Sequence, residues 1–326
     1  KHKIINGDIT LVKNPHYWNA DKVRLTRVVY HPVSNGSSTV SQFLAGTVDW
    51  TNNFPASDYK RLKKTLGSQV VHGPYFGTAM LVFNLERPPF KDKPKLRLAL
   101  SMAVDRVIIA KYLDHGLVIP AYSLIPPLKD YTPAVPDWAS LPKDKRHALA
   151  LKLYHEAGYS EDHPLKVTMT FAAGGAGTRQ FMEALQAMWR MTLGAKVEIH
   201  TMQWKVLLQS LQMRTLSLFW SAWIGDYPDP FTFMQLFTSG FPQNHGGYKN
   251  PAFDALIDKA QHTADAKARY QMFHKAEAML NHDASYLPMY FYETGHLIKP
   301  YVKGWQKNNV DRHRSQYMYI LEHHRG

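Results

Sequence analysis

The residues best placed to hold a charged ligand lie on one short segment, residues 223–230, with the sequence WIGDYPDP. Trp223 and Asp226 are three residues apart there, just after an apolar run, residues 216–220, that predicts a buried strand. Two prolines restrict this turn-prone loop. A fixed carboxylate suits an ammonium group, because charge-assisted hydrogen bonds are about twice as strong as neutral ones. The structural alternative is that Asp226 caps the following helix and Trp223 belongs to the core.

A catalytic use of the same loop is a second possibility. Asp226 and Asp229 are three residues apart, and glycoside hydrolases use paired carboxylates. The sequence contains no GxSxG motif, no P-loop and no GxGxxG fingerprint. We therefore predict a binding protein rather than an enzyme, and we expect no cofactor.

The composition is that of a globular chain long enough for two domains, with 326 residues of which 45% are apolar and 20% charged. The absence of cysteine excludes disulfides and thiolate metal sites, and no apolar run approaches the ~20 residues of a membrane helix. The formal net charge of +13 raises nucleic acid as a partner. Basic residues are scattered, however, apart from residues 60–64 and 312–325, and no nucleic-acid-binding motif occurs. We predict no nucleic-acid partner.

Strands and helices are predicted to alternate along the chain, which is typical of the α/β class. A long helical pattern begins at Pro94 and extends to Leu113. Other predicted helices include residues 37–44, 55–66, 143–157, 179–193 and 204–212, with two more within 252–280. Predicted strands include residues 8–13, 23–31, 70–74, 78–85, 165–171, 196–201 and 287–292.

Seven segments carry motifs that occur together, in the same order, in one protein family. They are residues 13–18 (KNPHYW), 46–49 (GTVD), 94–106 (PKLRLALSMAVDR), 148–159 (ALALKLYHEAGY), 189–197 (WRMTLGAKV), 223–230 (WIGDYPDP) and 248–256 (YKNPAFDAL). The chain thereby resembles extracellular solute-binding proteins of the oligopeptide/dipeptide class, which feed ABC transporters. Each motif is weak alone, but together they span nearly the full length. The overall texture is most similar to that of Gram-negative oligopeptide-binding proteins.

The resemblance implies a two-lobed α/β periplasmic binding protein, type II-like, with mixed sheets flanked by helices. Residues 1–76 and 292–326 are expected to form part of lobe one, and residues 77–291 lobe two. Family members are longer, so we expect the chain to lack the N-terminal portion of lobe one and a small extra domain. A monomer in the periplasm of a Gram-negative cell is implied, exported by a signal peptide that this chain does not contain.

The implied function is to bind a short peptide in the cleft between two lobes that close about a hinge, and to deliver it to the permease subunits of an ABC transporter. The protein would approach the membrane only through that transporter. Asp226 corresponds to the aspartate that pairs with the peptide α-ammonium, and Trp223 to a residue that lines a side-chain pocket. The other expected ligand contacts are Ala222, Trp204, Leu208, Tyr292 and Asn53. Some relatives bind haem or nickel, which remain alternative ligands.

Several of these positions also fit a purely structural role. Trp204 and Leu208 lie four residues apart on one helix face, as two core residues would. Tyr292 alternates with Tyr290 on a predicted strand, so one face of that strand is expected to meet the cleft. The amide of Asn53 could bond a peptide backbone or serve the turn that precedes it.

Recognition of the peptide carboxylate is where the sequence departs from the family. In close relatives basic side chains meet this group, but the corresponding residues here are Leu211 and Trp220. Arg214 is a candidate substitute.

Histidines near the C-terminus raise a metal site as a further possibility. His313, His323 and His324 lie there with Arg312 and Arg325. We expect this tail to be solvated surface instead.

Overall fold

The computed structural model describes residues 7–33, 35–112, 117–173 and 176–322. The chain divides into two compact units. The first comprises Lys1–Tyr75 and Glu293–Gly326, and the second is Phe76–Tyr292. In the described ranges no helix combines the length and the apolar character needed to cross a membrane.

The secondary structure alternates as an α/β chain should. The strands are β1 (Ile9–Val12), β2 (Arg27–Tyr30), β3 (Val70–Phe83), β4 (Val118–Pro120), β5 (Lys166–Ala172), β6 (Lys196–Met202), β7 (Leu218–Ile224), β8 (Tyr286–Leu297), β9 (Val302–Lys303) and β10 (Tyr319–Ile320). The α-helices are α1 (Gly36–Leu44), α2 (Tyr59–Leu66), α3 (Pro94–Met102), α4 (Arg106–Tyr112), α5 (Lys143–Glu156), α6 (Ala176–Leu193), α7 (Trp204–Gln212), α8 (Phe231–Met234), α9 (Pro251–Gln261) and α10 (Ala266–His282).

A mixed sheet with the strand order β4-β8-β3-β7-β5-β6 forms the centre of the second unit. Strand β5 runs parallel to both β6 and β7, whereas β3 runs antiparallel to β7. Alternate residues of β3 face opposite sides, so that Leu81 and Phe83 join one core cluster and Met80 and Val82 join another. Helices α3, α5 and α6 contribute to the first cluster, and α7 to α10 contribute to the second. The sheet is therefore covered by helices on both faces, which confirms the predicted class.

The single long helix predicted over residues 94–113 is wrong. Helix α3 ends at Met102 and α4 begins at Arg106, and residue 113 lies outside the described residues. The Asp105 carboxylate accepts the N–H of Ile108 at 3.1 Å, as a side chain at a helix start does. Arg106 is fully buried and donates to the carbonyl of Pro288 at 2.7 Å. The apolar spacing was that of one helix, but these two polar side chains start a new one.

The first unit contains smaller elements. Strands β1 and β2 pair antiparallel, with Ile9 opposite Tyr30, and β9 pairs antiparallel with β10. Helices α1 and α2 each bury one large apolar side chain completely, Phe43 and Leu62 respectively. The Asn35 side chain caps α1 by accepting the N–H groups of the first helical turn.

Candidate ligand-binding site

The loop that follows β7 is organised by a threonine. Thr232, on α8, is completely buried. Its hydroxyl oxygen accepts the indole N–H of Trp223 at 3.1 Å and the backbone N–H of Asp226 at 3.2 Å. The same hydroxyl donates to Oδ2 of Asp226 at 3.3 Å. One side chain thus fixes both predicted ligand residues, while Asp226 itself remains exposed.

Gly225 allows this loop to lie close to β3. Its N–H donates to the carbonyl of Phe76 at 2.7 Å. A Cβ at this position would lie 2.4 Å from Cδ1 of the Phe76 ring and 3.1 Å from Cγ2 of Thr232. The absence of a side chain at Gly225 is therefore a packing requirement, since atoms cannot approach this closely without displacing the ring.

The carboxylate that accepts a backbone N–H at the start of α8 is that of Asp229. Oδ1 of Asp229 accepts the N–H of Phe231 at 2.9 Å, at the start of α8. Both oxygens of Asp229 also bind the guanidinium of Arg269 on α10, with Oδ1 at 2.8 Å from Nη2. This hydrogen bonding raises the pKa of Arg269. Asp226 and Asp229 are thus not an equivalent carboxylate pair, because Asp229 is held in a bidentate ion pair.

The loop presents negative charge. Burial, followed by the charges of Asp229 and Asp226, raises the pKa of the neighbouring Tyr227 hydroxyl. Burial disfavours either charge, but the carboxylates of Asp229 and Asp226 disfavour a further anion and favour a cation. The electrostatics of the loop therefore suit an ammonium group beside Asp226.

Tyr292 and Ala222 belong to an aromatic face of the central sheet. The rings of Tyr290 and Tyr292 lie 5.2 Å apart, and the ring of Trp220 lies 6.0 Å from that of Tyr290. A Cβ on Gly77 would meet both Ile224 and Tyr292, at 2.3 and 3.0 Å, so these two side chains cover the glycine. Ala222 is exposed and lies two residues from both Trp220 and Ile224 on β7, so the three side chains share this face. Trp223 points to the opposite face and packs on the second core cluster.

Helix α7 carries the other two predicted contacts of this unit. Leu207 and Leu211 are buried and hold the helix to the core. Trp204, its first residue, has 60% of its surface exposed, and Leu208 is half-buried. Core packing is therefore not the role of Trp204, and its exposure is unusual because tryptophan side chains are highly buried on average.

Arg214 is already paired with a carboxylate of the protein itself. Its guanidinium lies 3.0 Å from Oε1 of Glu86, which also binds Lys249 at 2.8 Å. The hydrogen bond from Lys249, together with Arg214, lowers the pKa of Glu86. Leu211 is a core residue, and the Trp220 ring packs at a tilt against that of Tyr290 in the aromatic face. The substitution of Arg214 for the missing basic residues is accordingly not supported by its contacts.

Asn53 lies in the first unit, where Asn52 and Asn53 are both exposed. The two asparagines line a cavity of about 630 Å³ together with Trp50 and Tyr30. All residues that line this cavity belong to the first unit. Amide groups at its surface offer both donors and acceptors to a ligand backbone.

The expectation that His313 is solvated is wrong. Its side chain is only 3% exposed and its Nε2 lies 2.8 Å from Oδ1 of Asp311. The ring stacks on Trp305 with a centroid distance of 4.1 Å. His323, His324 and Arg325 lie outside the described residues.

The sequence did not reveal Thr232 or Arg269 as site residues. Their partners are six and 40 residues away, so no local motif links them. The only signal at Thr232 is a polar residue inside the apolar run FTFM. No comparable signal marks Arg269.

The fold and this loop are those of a solute-binding protein, and the model of one such family matches the chain. Residues 5–245 match the model of bacterial extracellular solute-binding proteins, family 5 Middle, so the chain belongs to this family. The periplasmic oligopeptide-binding protein OppA of Salmonella typhimurium is 32% identical over 326 residues, which cover 99% of this chain and 60% of that protein. The structure of the Escherichia coli murein tripeptide binding protein MppA has a TM-score of 0.87 at 32% identity, covering 99% of this chain and 64% of that one.

A relative with a different ligand is equally similar. The probable deoxycholate-binding periplasmic protein YgiS of Escherichia coli is 33% identical over 322 residues, covering 98% of this chain and 59% of that protein. The chain spans about 60% of the length of the curated relatives that it matches. Membership of the family therefore leaves the class of ligand to be argued from the site.

Proposed function

We propose that this chain is the ligand-binding part of an ABC importer receptor that takes short peptides, with Asp226 as the partner of the peptide α-ammonium. The observation that carries the proposal is the hydroxyl of Thr232, which holds Asp226 and Trp223 in one rigid arrangement. A preorganised carboxylate costs little ordering entropy when it binds a cation. The relatives OppA and MppA are named for peptide ligands, which supports the same class.

The surroundings of Asp226 favour a cation over the acidic group of a bile acid. Arg269 is held by Asp229 in a bidentate pair, so its charge is offset within the loop. A deoxycholate-like ligand carries a carboxylate and no ammonium group, so it could not pair with Asp226, and Arg214 is bound to Glu86. The charge pattern of the loop thus supports an ammonium ligand.

The aromatic residues supply the apolar part of the proposed site. The exposed indole of Trp204 and the half-buried rings of Tyr290 and Tyr292 offer broad surfaces to peptide side chains. We also propose Trp223, Leu208, Ala222 and Asn53 as ligand contacts, without assigning them to one pocket, because Trp223 and Ala222 lie on opposite faces of the sheet and Asn53 belongs to the first unit. Water in such pockets can replace direct hydrogen bonds at small cost, which permits a range of peptide sequences.

We also propose the setting that the family suggests. The protein would act as a monomer in the periplasm and deliver its ligand to the permease subunits of the transporter. It would perform no catalysis and need no cofactor, and nucleic acid would not be a partner.

The test is calorimetry of the protein with a tripeptide mixture and then with its best single component. Asp226→Asn removes a charged hydrogen-bond partner, worth roughly 1.5–3 kcal/mol, so affinity should fall by about 10- to 150-fold. Asp258→Asn is the matched control, because Asp258 is an exposed aspartate on α9 with only an exposed histidine 3.7 Å away. Its affinity should be unchanged.

Parallel titrations with deoxycholate, haemin and nickel decide between ligand classes. The proposal predicts binding of the peptides and no competition by the other three. Binding of deoxycholate or haemin with no response to any peptide would overturn it. Native mass spectrometry of the purified protein provides a second reading, since co-purified short peptides would appear as released masses.

A further inference from the structure

The first unit contains a cluster of two histidines and an aspartate that the proposed function does not use. Oδ1 of Asp311 lies 2.8 Å from Nε2 of His296 and 2.8 Å from Nε2 of His313. Each of the three residues offers one potential metal-ligand atom, and these three atoms all lie within 4.8 Å of one another. His296 is on β8, and Asp311 and His313 lie between β9 and β10. Three potential metal ligands thus meet at one point, although no sequence motif links them.

The hydrogen-bond geometry of His296 points to a cation at this point. Nδ1 of His296 lies 3.0 Å from the carbonyl oxygen of Thr51, and because a carbonyl only accepts, Nδ1 must carry the hydrogen. The indole N–H of Trp50 also approaches this nitrogen, but at 3.4 Å its contact is longer than the one to Thr51, so the shorter bond sets the tautomer. In the neutral ring the lone pair then lies on Nε2, facing a carboxylate oxygen. Two acceptors at 2.8 Å require a proton or a metal ion between or beside them.

The hydrogen bond to Thr51 is itself typical of a metal ligand. A histidine that binds a metal through one nitrogen usually donates its other N–H to a carbonyl or carboxylate, which fixes the tautomer and the ring orientation. The carboxylate has a similar support, since the hydroxyl of Thr294 donates to Oδ1 of Asp311 at 3.3 Å. Two of the three groups are therefore oriented by a second residue.

Two tryptophans hold the imidazole rings in place. Trp305 stacks on His313 at 4.1 Å and lies 5.2 Å from His296, and Trp50 lies 5.6 Å from His313. The two histidine side chains are only 2% and 3% exposed, whereas Asp311 is 21% exposed. The packed rings cannot turn freely, so the ligand atoms are preorganised, and the aspartate side gives access from solvent.

We propose that His296, Asp311 and His313 bind a divalent transition metal ion, with Zn²⁺ as the best fit. Two imidazoles and one carboxylate are a ligand set that zinc accepts, with the fourth position open to water. Zinc–ligand bonds of ~2.0–2.2 Å place tetrahedral ligand atoms roughly 3.3 Å apart, so the present separations must widen by about half an ångström. The ion would tie β8 to the segment before β10 and stabilise the first unit. This proposal does not rest on peptide binding.

The test is a titration of chelator-treated, dialysed protein with ZnCl₂, followed by calorimetry and thermal unfolding. We expect one ion per chain and a rise in Tm that saturates at one equivalent. Asp311→Asn keeps the shape of the side chain but removes its charge, and it should weaken binding by at least about tenfold. His262→Gln is the matched control, since His262 and Asp258 form an exposed pair 3.7 Å apart on α9.

A spectroscopic measurement keeps the test valid if Asp311→Asn fails to fold. Co²⁺ added to the unmutated protein should give the visible absorption of a tetrahedral site, and X-ray absorption of the zinc form should show two imidazoles. Zinc binding that is lost in His262→Gln and kept in Asp311→Asn would overturn the proposal. The same holds if the dialysed protein binds no ion stoichiometrically, in which case the cluster is an imidazolium–carboxylate hydrogen-bond group.

Discussion

The loop of residues 223–232 in the second unit and the cluster of His296, Asp311 and His313 in the first unit both position a carboxylate, but they do so in different ways. In the loop, every member comes from ten consecutive residues, apart from Arg269 and Phe76. In the cluster, Thr51 and His296 are 245 residues apart. The comparison shows that a carboxylate held by neighbouring residues lies in a segment with a local sequence pattern, whereas one held by tertiary contacts has no such pattern.

Among the predictions for the loop of residues 223–232, the largest expected loss of stability comes from a substitution of Gly225. Gly225→Ala should destabilise the protein by about 2–3 kcal/mol, because the added Cβ would meet the buried ring of Phe76 at 2.4 Å. The measurement is urea unfolding followed by fluorescence. Gly240→Ala is the control, since a Cβ there meets nothing within 4 Å, and it should change stability by less than about 0.5 kcal/mol. Equal effects of the two substitutions would show that the loop does not depend on close approach to β3.

Thr232→Val should have the next largest effect, a loss of about 1–3 kcal/mol, because it removes the hydroxyl but preserves the shape. The indole N–H of Trp223 and the N–H of Asp226 then lose their acceptor. Thr232→Ser retains the hydroxyl and should recover peptide affinity even if its stability is reduced. Peptide affinity that is the same in the valine and threonine proteins would contradict the positioning role of Thr232.

The sequence predicted the α/β class and most helices, because apolar periodicity encodes them directly, and the family resemblance implied the mixed sheet. It predicted the 223–230 loop for the same local reason. It gave helix capping as the structural alternative for Asp226, whereas Asp229 accepts a backbone N–H at the start of that helix; both are aspartates before the same apolar run. It merged α3 and α4, because the capping of α4 by Asp105 is invisible in the apolar pattern.

Long-range pairs account for what could not be predicted. Arg214 and Glu86 are 128 residues apart, and their ion pair occupies Arg214, which the sequence suggested as a partner for the peptide carboxylate. His313 was assigned to a solvated tail, but Trp305 and Asp311 bury it. In both cases the chemistry of a side chain was clear from its type, and only the fold determined what it meets.

A smaller effect tests the long-range side of the comparison through pH. Because Lys249 and Arg214 lower the pKa of Glu86, the ionised carboxylate of Glu86 is more stable in the folded state than in the unfolded state. The resulting stability is present above the ordinary value of 4.5 and is lost as the pH falls through the lowered folded value. Urea midpoints of the protein and of Glu86→Gln should therefore differ at pH 7 and converge toward pH 3. A constant difference across that range would show that the ion pair is not the source.

The smallest expected change in stability is at Trp204. Trp204→Ala should alter the free energy of unfolding by less than about 0.5 kcal/mol, since 60% of the residue is exposed. Peptide affinity should nevertheless fall, because an exposed indole offers a large apolar contact. Leu207→Ala, on the buried face of the same helix, should destabilise by about 2–4 kcal/mol and provides the contrast. Unchanged affinity in Trp204→Ala would remove this residue from the site.

The most direct test of the central claim combines Asp226→Asn with N-acetylation of the best-binding tripeptide. Four calorimetric titrations are needed, with each protein against the free and the acetylated peptide. If Asp226 pairs with the α-ammonium, acetylation weakens binding to the unmutated protein by about tenfold or more and has little further effect on the variant. If acetylation weakens binding equally in both proteins, Asp226 does not recognise the ammonium and the assignment of this loop is wrong.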